Sequence, residues 1–146
     1  MLIGEYQNTV GEKNRIAVPK KFREVLGTKL IVTRGYEGCM VVVSPSQWEK
    51  LSTETATGPF VSSSVRDTTR FLLGGAHEVE LDKQGRFVIP SSLMEHAMIR
   101  GETSQVVFLG LGRWVEIWEK KKWDERKSYL AKESSLIAEK LMEIKL

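Results

Sequence analysis

An internal repeat constrains the fold of this 146-residue chain more than any other feature of its sequence. A shift of 71 positions places NRIAVP (14–19) on GRFVIP (85–90), and the flanking apolar residues coincide as well. An insertion of four residues in the second helix region then changes the shift to 75, at which Trp48 falls on Trp123. A unit of this size cannot bury its apolar face alone. The repeat therefore predicts two small tandem units that pack together as a pseudo-dimer.

Each unit carries the same predicted series of elements: a strand, a polar turn, a second strand, a helix and a two-stranded hairpin. In the first unit these elements lie, in order, at 5–10, 11–14, 15–18, 20–26, and 29–34 with 40–44. In the second unit they lie at 77–81, 82–85, 86–89, 91–100, and 105–109 with 114–118. The residue before each arginine, Asn14 or Gly85, suits a turn position with positive φ. The predicted fold class is α+β, with units at 5–47 and 76–120.

Two further segments lie outside the units. The stretch 52–64 is rich in serine and threonine, which predicts a linker or an exposed loop. Ser64, followed three residues later by Asp67, predicts a capping box that opens a helix ending at Leu73. From Lys121 onward the composition is helical, and apolar residues recur at helical spacing at Leu130, Ile137, Leu141 and Ile144. That apolar face packs either on the core or on a neighbouring subunit.

Positive charge is concentrated in the first unit, although the whole chain carries only +3. Between positions 12 and 34 there are two acidic residues, Glu12 and Glu24, and seven basic residues: Lys13, Arg15, Lys20, Lys21, Arg23, Lys29 and Arg34. The balance of about +5 on this stretch is typical of proteins that bind a polyanion. On charge alone, a solvated surface rich in lysine is an equally good interpretation.

Arginine begins the second strand of both units, as Arg15 and Arg86. Two guanidinium groups related by a pseudo-two-fold axis suit bidentate contact with guanine edges or phosphates. Asp82, four residues before Arg86, is placed to accept hydrogen bonds from the turn backbone or to clamp the arginine. Gly11 occupies the matching position before Arg15. The alternative, in which the arginines form ion pairs that hold the fold, is therefore stronger for Arg86.

The first unit is accordingly expected to lead in DNA contact. The candidate DNA-binding residues are Lys13, Asn14, Arg15, Lys20 and Arg86. RNA binding is not excluded by charge, but the aromatic residues do not form the exposed stacking series that single-strand binders use. Double-stranded DNA is the favoured partner.

No group of residues in the sequence points to catalysis. The two histidines, His77 and His96, lie 19 positions apart, without cysteine or paired acids at metal-ligand spacing. The glycines at 72–76 and 110–112 lack the strand-to-helix context of a nucleotide site. The chain has one cysteine, Cys39, which we expect to be a small buried residue. A single cysteine also fits a reducing compartment. We therefore expect no catalytic residue, metal, cofactor or small-molecule substrate.

Membrane association is not predicted either. No apolar run approaches about 20 residues, and the first ten residues lack the basic and apolar regions of a signal peptide. A cytoplasmic location is expected. The alternative to DNA binding is a protein-interaction module, such as an oligomeric antitoxin-like scaffold, because tryptophan is common at interfaces. Core and inter-unit packing is the favoured explanation for the four tryptophans: Trp48, Trp114, Trp118 and Trp123.

Several stretches of the sequence resemble a known family. DKQGR (82–86) precedes FVIP, GEKNR (11–15) precedes IAVP, and MLIGEY, RFLLGGAHEVELD and WVEIWEKKKWDE flank the two units. In this order they resemble the MraZ family, of the SpoVT/AbrB-like swapped-hairpin DNA-binding superfamily, over nearly the whole chain. The resemblance implies two tandem SpoVT/AbrB-like units. Gly11 departs from the family pattern, because it stands in place of the motif aspartate.

The resemblance also implies a function. The family consists of bacterial transcriptional regulators that bind short direct repeats in the promoter of their own division and cell-wall gene cluster. Repression of that cluster, ring-shaped homo-oligomers and association with the nucleoid are the family expectations. Carried over to this sequence, the motif arginines are Arg15 and Arg86, and the motif acid is Asp82. The expected partners are therefore promoter DNA and further copies of the chain.

Overall fold

Strands and helices follow one another in a similar order twice along residues 1–145, which the computed structural model describes. The first half contains β1 (Ile3–Thr9), β2 (Arg15–Ala17), α1 (Lys20–Leu26), β3 (Lys29–Arg34), β4 (Met40–Val43) and α2 (Pro45–Ala56). The second half contains α3 (Ser63–Leu72), β5 (His77–Glu80), β6 (Arg86–Val88), α4 (Ser91–Ala97), β7 (Gln105–Leu111), β8 (Val115–Glu119) and α5 (Lys120–Lys145). Short 3-10 turns lie at Glu12–Asn14 and Tyr36–Gly38. The predicted α+β class is confirmed.

The main sheet is built by exchange of strands between the two units. It is antiparallel, and its six strands follow the order β1-β7-β8-β4-β3-β5. Strand β1 of the first unit pairs with β7 of the second, and β5 of the second unit pairs with β3 of the first. The two hairpins meet where Val41 of β4 lies opposite Glu116 of β8. Each unit is incomplete without the other, which confirms the predicted pseudo-dimer of two tandem units.

The second strands of the two units, β2 and β6, form a separate antiparallel ribbon. Its cross-strand pairs are Arg15–Val88, Ile16–Phe87 and Ala17–Arg86. Ile16 and Phe87, at its centre, are 0% and 2% exposed, so one face of the ribbon packs on the core. The register places the two arginines symmetrically about this central pair, as the repeat predicts.

Apolar side chains cover both faces of the main sheet. The larger cluster joins the ribbon, α1 and α4 to one face, and its largest fully buried side chains are Phe22, Phe108, Ile16, Leu30, Met40 and Leu93. The smaller cluster consists of Cys39, Val107, Leu109, Trp118 and Trp123. Because strand residues alternate between faces, the neighbours Val107 and Phe108 belong to different clusters. The larger cluster fixes the ribbon on the sheet.

The stretch predicted as a linker, 52–64, is partly helical. Helix α2 runs through Ala56, and only residues 57–62 separate it from α3. The hydroxyls of Thr53 and Thr55 donate to carbonyl oxygens one turn earlier, at 2.8 Å in both cases. Such bonds accommodate threonine inside a helix. The linker prediction was therefore wrong for the first part of this stretch.

The cap of helix α3 also differs from the prediction. The helix begins at Ser63, and the hydroxyl of Ser62 accepts a hydrogen bond from the amide of Val65 at 3.4 Å. Asp67, predicted to close a capping box with Ser64, instead pairs with an arginine one turn later at 2.7 Å. The sequence contains three consecutive serines at this point, and the register of the helix selects the first.

Helix α4 ends at Ala97, earlier than the predicted end before Gly101. Met98 adopts the left-handed conformation, with a φ of 57°, and its amide donates to the carbonyl oxygens of Glu95 and Met94. Left-handed residues that end helices are most often glycine. Because methionine has this role here, the prediction based on Gly101 placed the end of the helix too late.

The insertion before the hairpin of the second unit is five residues long rather than four. Val106 takes the place beside β1 that Leu30 takes beside β5, which is a shift of 76 positions. The predicted shift of 75 holds for β4 and β8, because the second hairpin turn is one residue shorter than the first. The additional residues lie between α4 and β7, in the connection 98–104. The corresponding connection in the first unit, 27–28, has only two residues. The second unit therefore carries a loop that the first unit lacks.

Candidate nucleic-acid interface

The outward face of the β2–β6 ribbon carries the two predicted arginines. Side chains of a strand alternate between faces, and Ile16 and Phe87 point into the core, so Arg15 and Arg86 lie on the opposite face. Arg15 stands opposite Val88, and Arg86 lies two residues further along that strand, about 7 Å away along the ribbon. The ribbon thus presents two guanidinium groups on one side of the molecule.

The first turn, residues 11–14, is closed by its backbone. The amide of Gly11 donates to the carbonyl oxygen of Arg15 at 2.9 Å. Lys13 and Asn14 have φ angles of 56° and 57°, in the left-handed region that asparagine adopts more readily than most residues. The positive φ predicted for the residue before the arginine is confirmed.

The second turn, residues 82–85, holds its arginine with its own acid. Oδ1 of Asp82 accepts hydrogen bonds from the amides of Gln84 at 2.9 Å and Arg86 at 3.0 Å. Oδ2 accepts a hydrogen bond from Nε of Arg86 at 2.9 Å. The hydrogen bond from the Arg86 amide, followed by the other hydrogen bonds and the guanidinium charge, lowers the pKa of Asp82. The acid therefore both orders the backbone and clamps the arginine.

The basic side chains of the first unit are not held in this way. Within residues 1–145, Lys13, Arg15 and Lys20 take part in none of the ion pairs. Lys13 and Lys20 are exposed, and Arg15 is half-buried. Their charges are therefore open to a polyanionic ligand, whereas the charge of Arg86 is partly balanced by Asp82.

The structure divides the predicted residues of the first unit between the two ends of the ribbon. The first turn carries Lys13, Asn14 and Arg15. Lys20 begins α1 beyond the other end of β2, where the amide of Val18 donates to the carbonyl oxygen of Gly85 at 3.0 Å. Lys20 thus lies on the side of the second turn. Each end of the ribbon combines residues of both units, which the repeat pattern does not show.

Sequence reasoning missed two residues that contact the turns. The guanidinium group of Arg23, in α1, lies so close to Gly85 that a Cβ atom there would overlap it. Its Nε atom is buried and has no hydrogen-bond partner among the described residues. Glu102, in the connection before β7, accepts a hydrogen bond from the amide of Lys13 at 3.0 Å. Both contacts join distant parts of the chain, so no local spacing signals them.

The tryptophans separate into two buried and two partly exposed side chains. Trp118 and Trp123 are buried together, with ring centroids 5.4 Å apart, as the packing interpretation expects. Trp48 and Trp114 are partly exposed and line a cavity of about 340 Å³. The other residues that line this cavity belong to α2, α3, the main sheet and its turns, and none belongs to the ribbon. The cavity is separate from the candidate interface.

The cysteine and the histidines have structural contacts. Cys39 is fully buried, and this burial raises the pKa of its thiol, so a reactive thiolate is not formed at neutral pH. Ring nitrogens of His77 and His96 lie 3.1 Å and 2.9 Å from backbone carbonyl oxygens. Among the described residues, no three side chains of the metal-binding types are grouped to hold an ion. Over residues 1–145, no helix is long and apolar enough to cross a membrane.

Exchanged strands around a ribbon with paired arginines define this chain as a single-chain pseudo-dimer of two α+β units. The family model described as "MraZ protein, putative antitoxin-like" matches it twice, at residues 1–71 and 72–143. The chain belongs to the MraZ family.

Relatives of similar length carry the family name. The Transcriptional regulator MraZ of Thermoanaerobacter sp. (strain X514) is 43% identical over 125 residues, which cover 86% of this chain and 85% of the relative. The protein of the same name from Caldanaerobacter subterraneus subsp. tengcongensis is 44% identical over 125 residues, with the same coverage. That of Thermoanaerobacter pseudethanolicus is 39% identical over 146 residues, which cover both chains completely. The prediction that this chain is not an enzyme is confirmed by these relationships.

Proposed function

We propose that this protein is a sequence-specific transcriptional regulator that binds duplex DNA with the outward face of the β2–β6 ribbon and its two turns. The position of Arg15 carries the proposal, because this residue lies on that face without an acidic partner within residues 1–145. Arginine contacts with guanine edges and phosphates are a main source of specificity and affinity for DNA. The relatives are named transcriptional regulators, which supports the same function.

The ribbon has dimensions and charges that suit duplex DNA. The major groove is about 12 Å wide and admits a two-stranded ribbon. Lys13 lies at one end of β2 and Lys20 beyond the other, so both can reach phosphates that border the groove while Arg15 approaches base edges. We assign the principal contacts to Lys13, Asn14, Arg15 and Lys20. Arg86 contributes less, because Asp82 already binds its Nε atom.

Helix α5 supports the assembly of several copies. It has 26 residues, a length of about 39 Å, and it packs on β7 and β8. Exposed apolar side chains occupy its second half: Leu136, Ile137, Leu141, Met142 and Ile144. An oligomer joined through such a surface would bind repeated DNA sites tightly, because linked sites raise the effective concentration. We propose a ring that binds direct repeats in its own division and cell-wall promoter, at the nucleoid in the cytoplasm, and represses that promoter.

Salt-dependent binding of the duplex upstream of its own gene tests the interface. The logarithm of the affinity should fall linearly with the logarithm of the KCl concentration, because bound cationic side chains release counterions. Lys13→Ala combined with Arg15→Ala should weaken binding at least about tenfold at low salt. The control, Lys50→Ala with Lys132→Ala, removes the same charge elsewhere and should bind almost normally. Equal losses in the two variants, measured by fluorescence anisotropy, would contradict the proposed interface.

Light scattering at micromolar concentration tests the oligomer. The expected mass is a multiple of the 16.6 kDa of one chain, and Ile137→Asp with Leu141→Asp should reduce it. A monomer mass for the unaltered protein would contradict assembly. An oligomer that binds no duplex even at low salt would instead favour the alternative function, an antitoxin-like interaction scaffold.

A further inference from the structure

The first turn has Gly11 at the position equivalent to Asp82, but a carboxylate from the other unit contacts it. We propose that Glu102 takes the place of the missing motif acid and positions the first turn for DNA contact. This inference rests on the proposed function, and it names a positioning residue at the same interface.

The two turns show the same hydrogen bond made in two ways. Lys13 and Gln84 occupy equivalent positions, 71 residues apart. The amide of Gln84 donates to Oδ1 of Asp82 at 2.9 Å, within the second turn. The amide of Lys13 donates to Oε1 of Glu102 at 3.0 Å, across the two units. A carboxylate therefore binds the same N–H group in both turns.

The first turn has the greater need of an external contact. Lys13 and Asn14 are both left-handed, whereas in the second turn only Gly85 has a positive φ. Side chains at positive φ are unfavourable, and glycine avoids this cost. A charge-assisted hydrogen bond to the amide of Lys13 stabilises the conformation that presents the next two side chains outward.

The insertion in the second unit supplies the carboxylate. Glu102 lies in the connection 98–104, which includes the five residues that the first unit lacks. Two backbone hydrogen bonds anchor this connection beside the first turn: the amide of Thr103 donates to the carbonyl oxygen of Val10 at 2.8 Å, and the amide of Val10 donates to that of Ser104 at 2.9 Å. Glu102 is therefore held next to the turn by residues on its C-terminal side.

A purely electrostatic role for Glu102 predicts an effect of the opposite sign. An exposed carboxylate near Lys13 lowers the local positive potential, so its removal would strengthen DNA binding if it had no effect on geometry. A positioning role predicts weaker binding, because the turn loses the contact that fixes its conformation. The sign of the change in affinity separates the two roles.

The test compares three variants of the full chain on the promoter duplex. Glu102→Ala should weaken binding about three- to tenfold, the range of one lost hydrogen bond. Adding Gly11→Asp should restore the protection of the Lys13 amide, because the new carboxylate occupies the position equivalent to Asp82. It should not restore the full affinity, because the new carboxylate can also bind the guanidinium group of Arg15, as Asp82 binds that of Arg86. Gly11 has a φ of −96°, and a Cβ atom there would lie 3.6 Å from its nearest neighbour, so aspartate fits without strain. The control, Glu49→Ala, removes an equal charge from the exposed surface of α2 and should leave affinity unchanged.

Hydrogen exchange of the Lys13 amide, measured by NMR without DNA, gives a second readout. Exchange should become faster in Glu102→Ala and slower again when Gly11→Asp is added, while the thermal unfolding temperature stays nearly constant. Unchanged or stronger DNA binding by Glu102→Ala would overturn the positioning role, and exchange of the Lys13 amide that Gly11→Asp does not slow would overturn the substitution for the motif acid. If the unaltered protein binds no DNA, the proposed function fails, and unchanged exchange of Lys13 would refute the role of Glu102 separately.

Discussion

The turns at the two ends of the ribbon share a backbone plan but differ in how they use charge. In the second turn, Asp82 binds the backbone and also the side chain of Arg86. In the first turn, the carboxylate comes from Glu102 and binds only the backbone of Lys13. Arg15 is thereby left without an acidic partner within residues 1–145.

Under the proposed function, this difference separates a structural arginine, Arg86, from a binding arginine, Arg15. Asp82, inside the second turn, binds the amide of Gln84 and also reaches the guanidinium group of Arg86, two positions further along the chain. An acid from outside the turn orders the backbone but does not reach Arg15, so the turn is fixed while its charge remains available. Free cationic groups are the ones that attract a polyanion most strongly.

Both units are expected to contribute to the core beneath the ribbon, and substitutions at the centre of the ribbon test this. Phe87→Ala should lower the free energy of unfolding by about 3–5 kcal/mol, and Ile16→Ala by about 2–5 kcal/mol, because both side chains are fully buried. Urea denaturation measures both. A loss below about 1 kcal/mol for either variant would show that only one unit holds the ribbon in place.

Glycine and asparagine at equivalent positions of the turns should respond differently to substitution. Gly85→Ala should cost about 1–2 kcal/mol for its positive φ, and more because the new Cβ would displace the guanidinium group of Arg23. Asn14→Gly should change stability by no more than about 0.5 kcal/mol. Thermal denaturation of the two variants gives the comparison. Equal effects would mean that the second turn is no more tightly packed than the first.

Exchanging the middle residues of the turns sharpens the assignment of phosphate contacts. Lys13→Gln should reduce the magnitude of the salt slope of DNA binding by about one per chain, because one phosphate contact is lost. Gln84→Lys, the reciprocal change, should increase the magnitude of the salt slope by a smaller amount if the second turn lies further from the backbone of the DNA. An unchanged slope for Lys13→Gln would remove this lysine from the interface.

Low pH should abolish the small stabilising effect that Asp82 has on the second turn. Its pKa is lowered in the folded protein, so its stabilising effect is present above the unfolded pKa of about 3.9 and is lost as the pH falls through the lower folded value. Asp82→Asn should therefore lower the unfolding temperature at pH 7 but not in strong acid, where the carboxyl group is protonated. A pH-independent difference in unfolding temperature would contradict this account.

The repeat and its local spacing predicted the main elements because these depend on neighbouring residues. All eight predicted strands lie within two residues of the observed ones, and the ribbon places Arg15 and Arg86 symmetrically. The turn at Asp82 was also accessible, since acceptor and donors lie within four residues of one another. Period and spacing determine such features directly.

Contacts between the units were not accessible from the pattern. The bond between Lys13 and Glu102 spans 89 positions, and Arg23 meets Gly85 across the ribbon formed by β2 and β6. The sequence places Lys20 in the first unit, but it does not show that β2 separates this residue from the first turn and carries it to the other end of the ribbon. These positions are determined by packing across the pseudo-two-fold axis, and this packing cannot be read from the repeat in the sequence.

We propose that Arg15 binds DNA and that Arg86 mainly holds its turn. This proposal is tested most directly by titrating the promoter duplex with Arg15→Ala and Arg86→Ala at one salt concentration, after circular dichroism shows that both are folded. We expect Arg15→Ala to lose about 1–3 kcal/mol of binding free energy and Arg86→Ala to lose less than half as much. An equal or larger loss for Arg86→Ala would contradict the division of roles between the two turns.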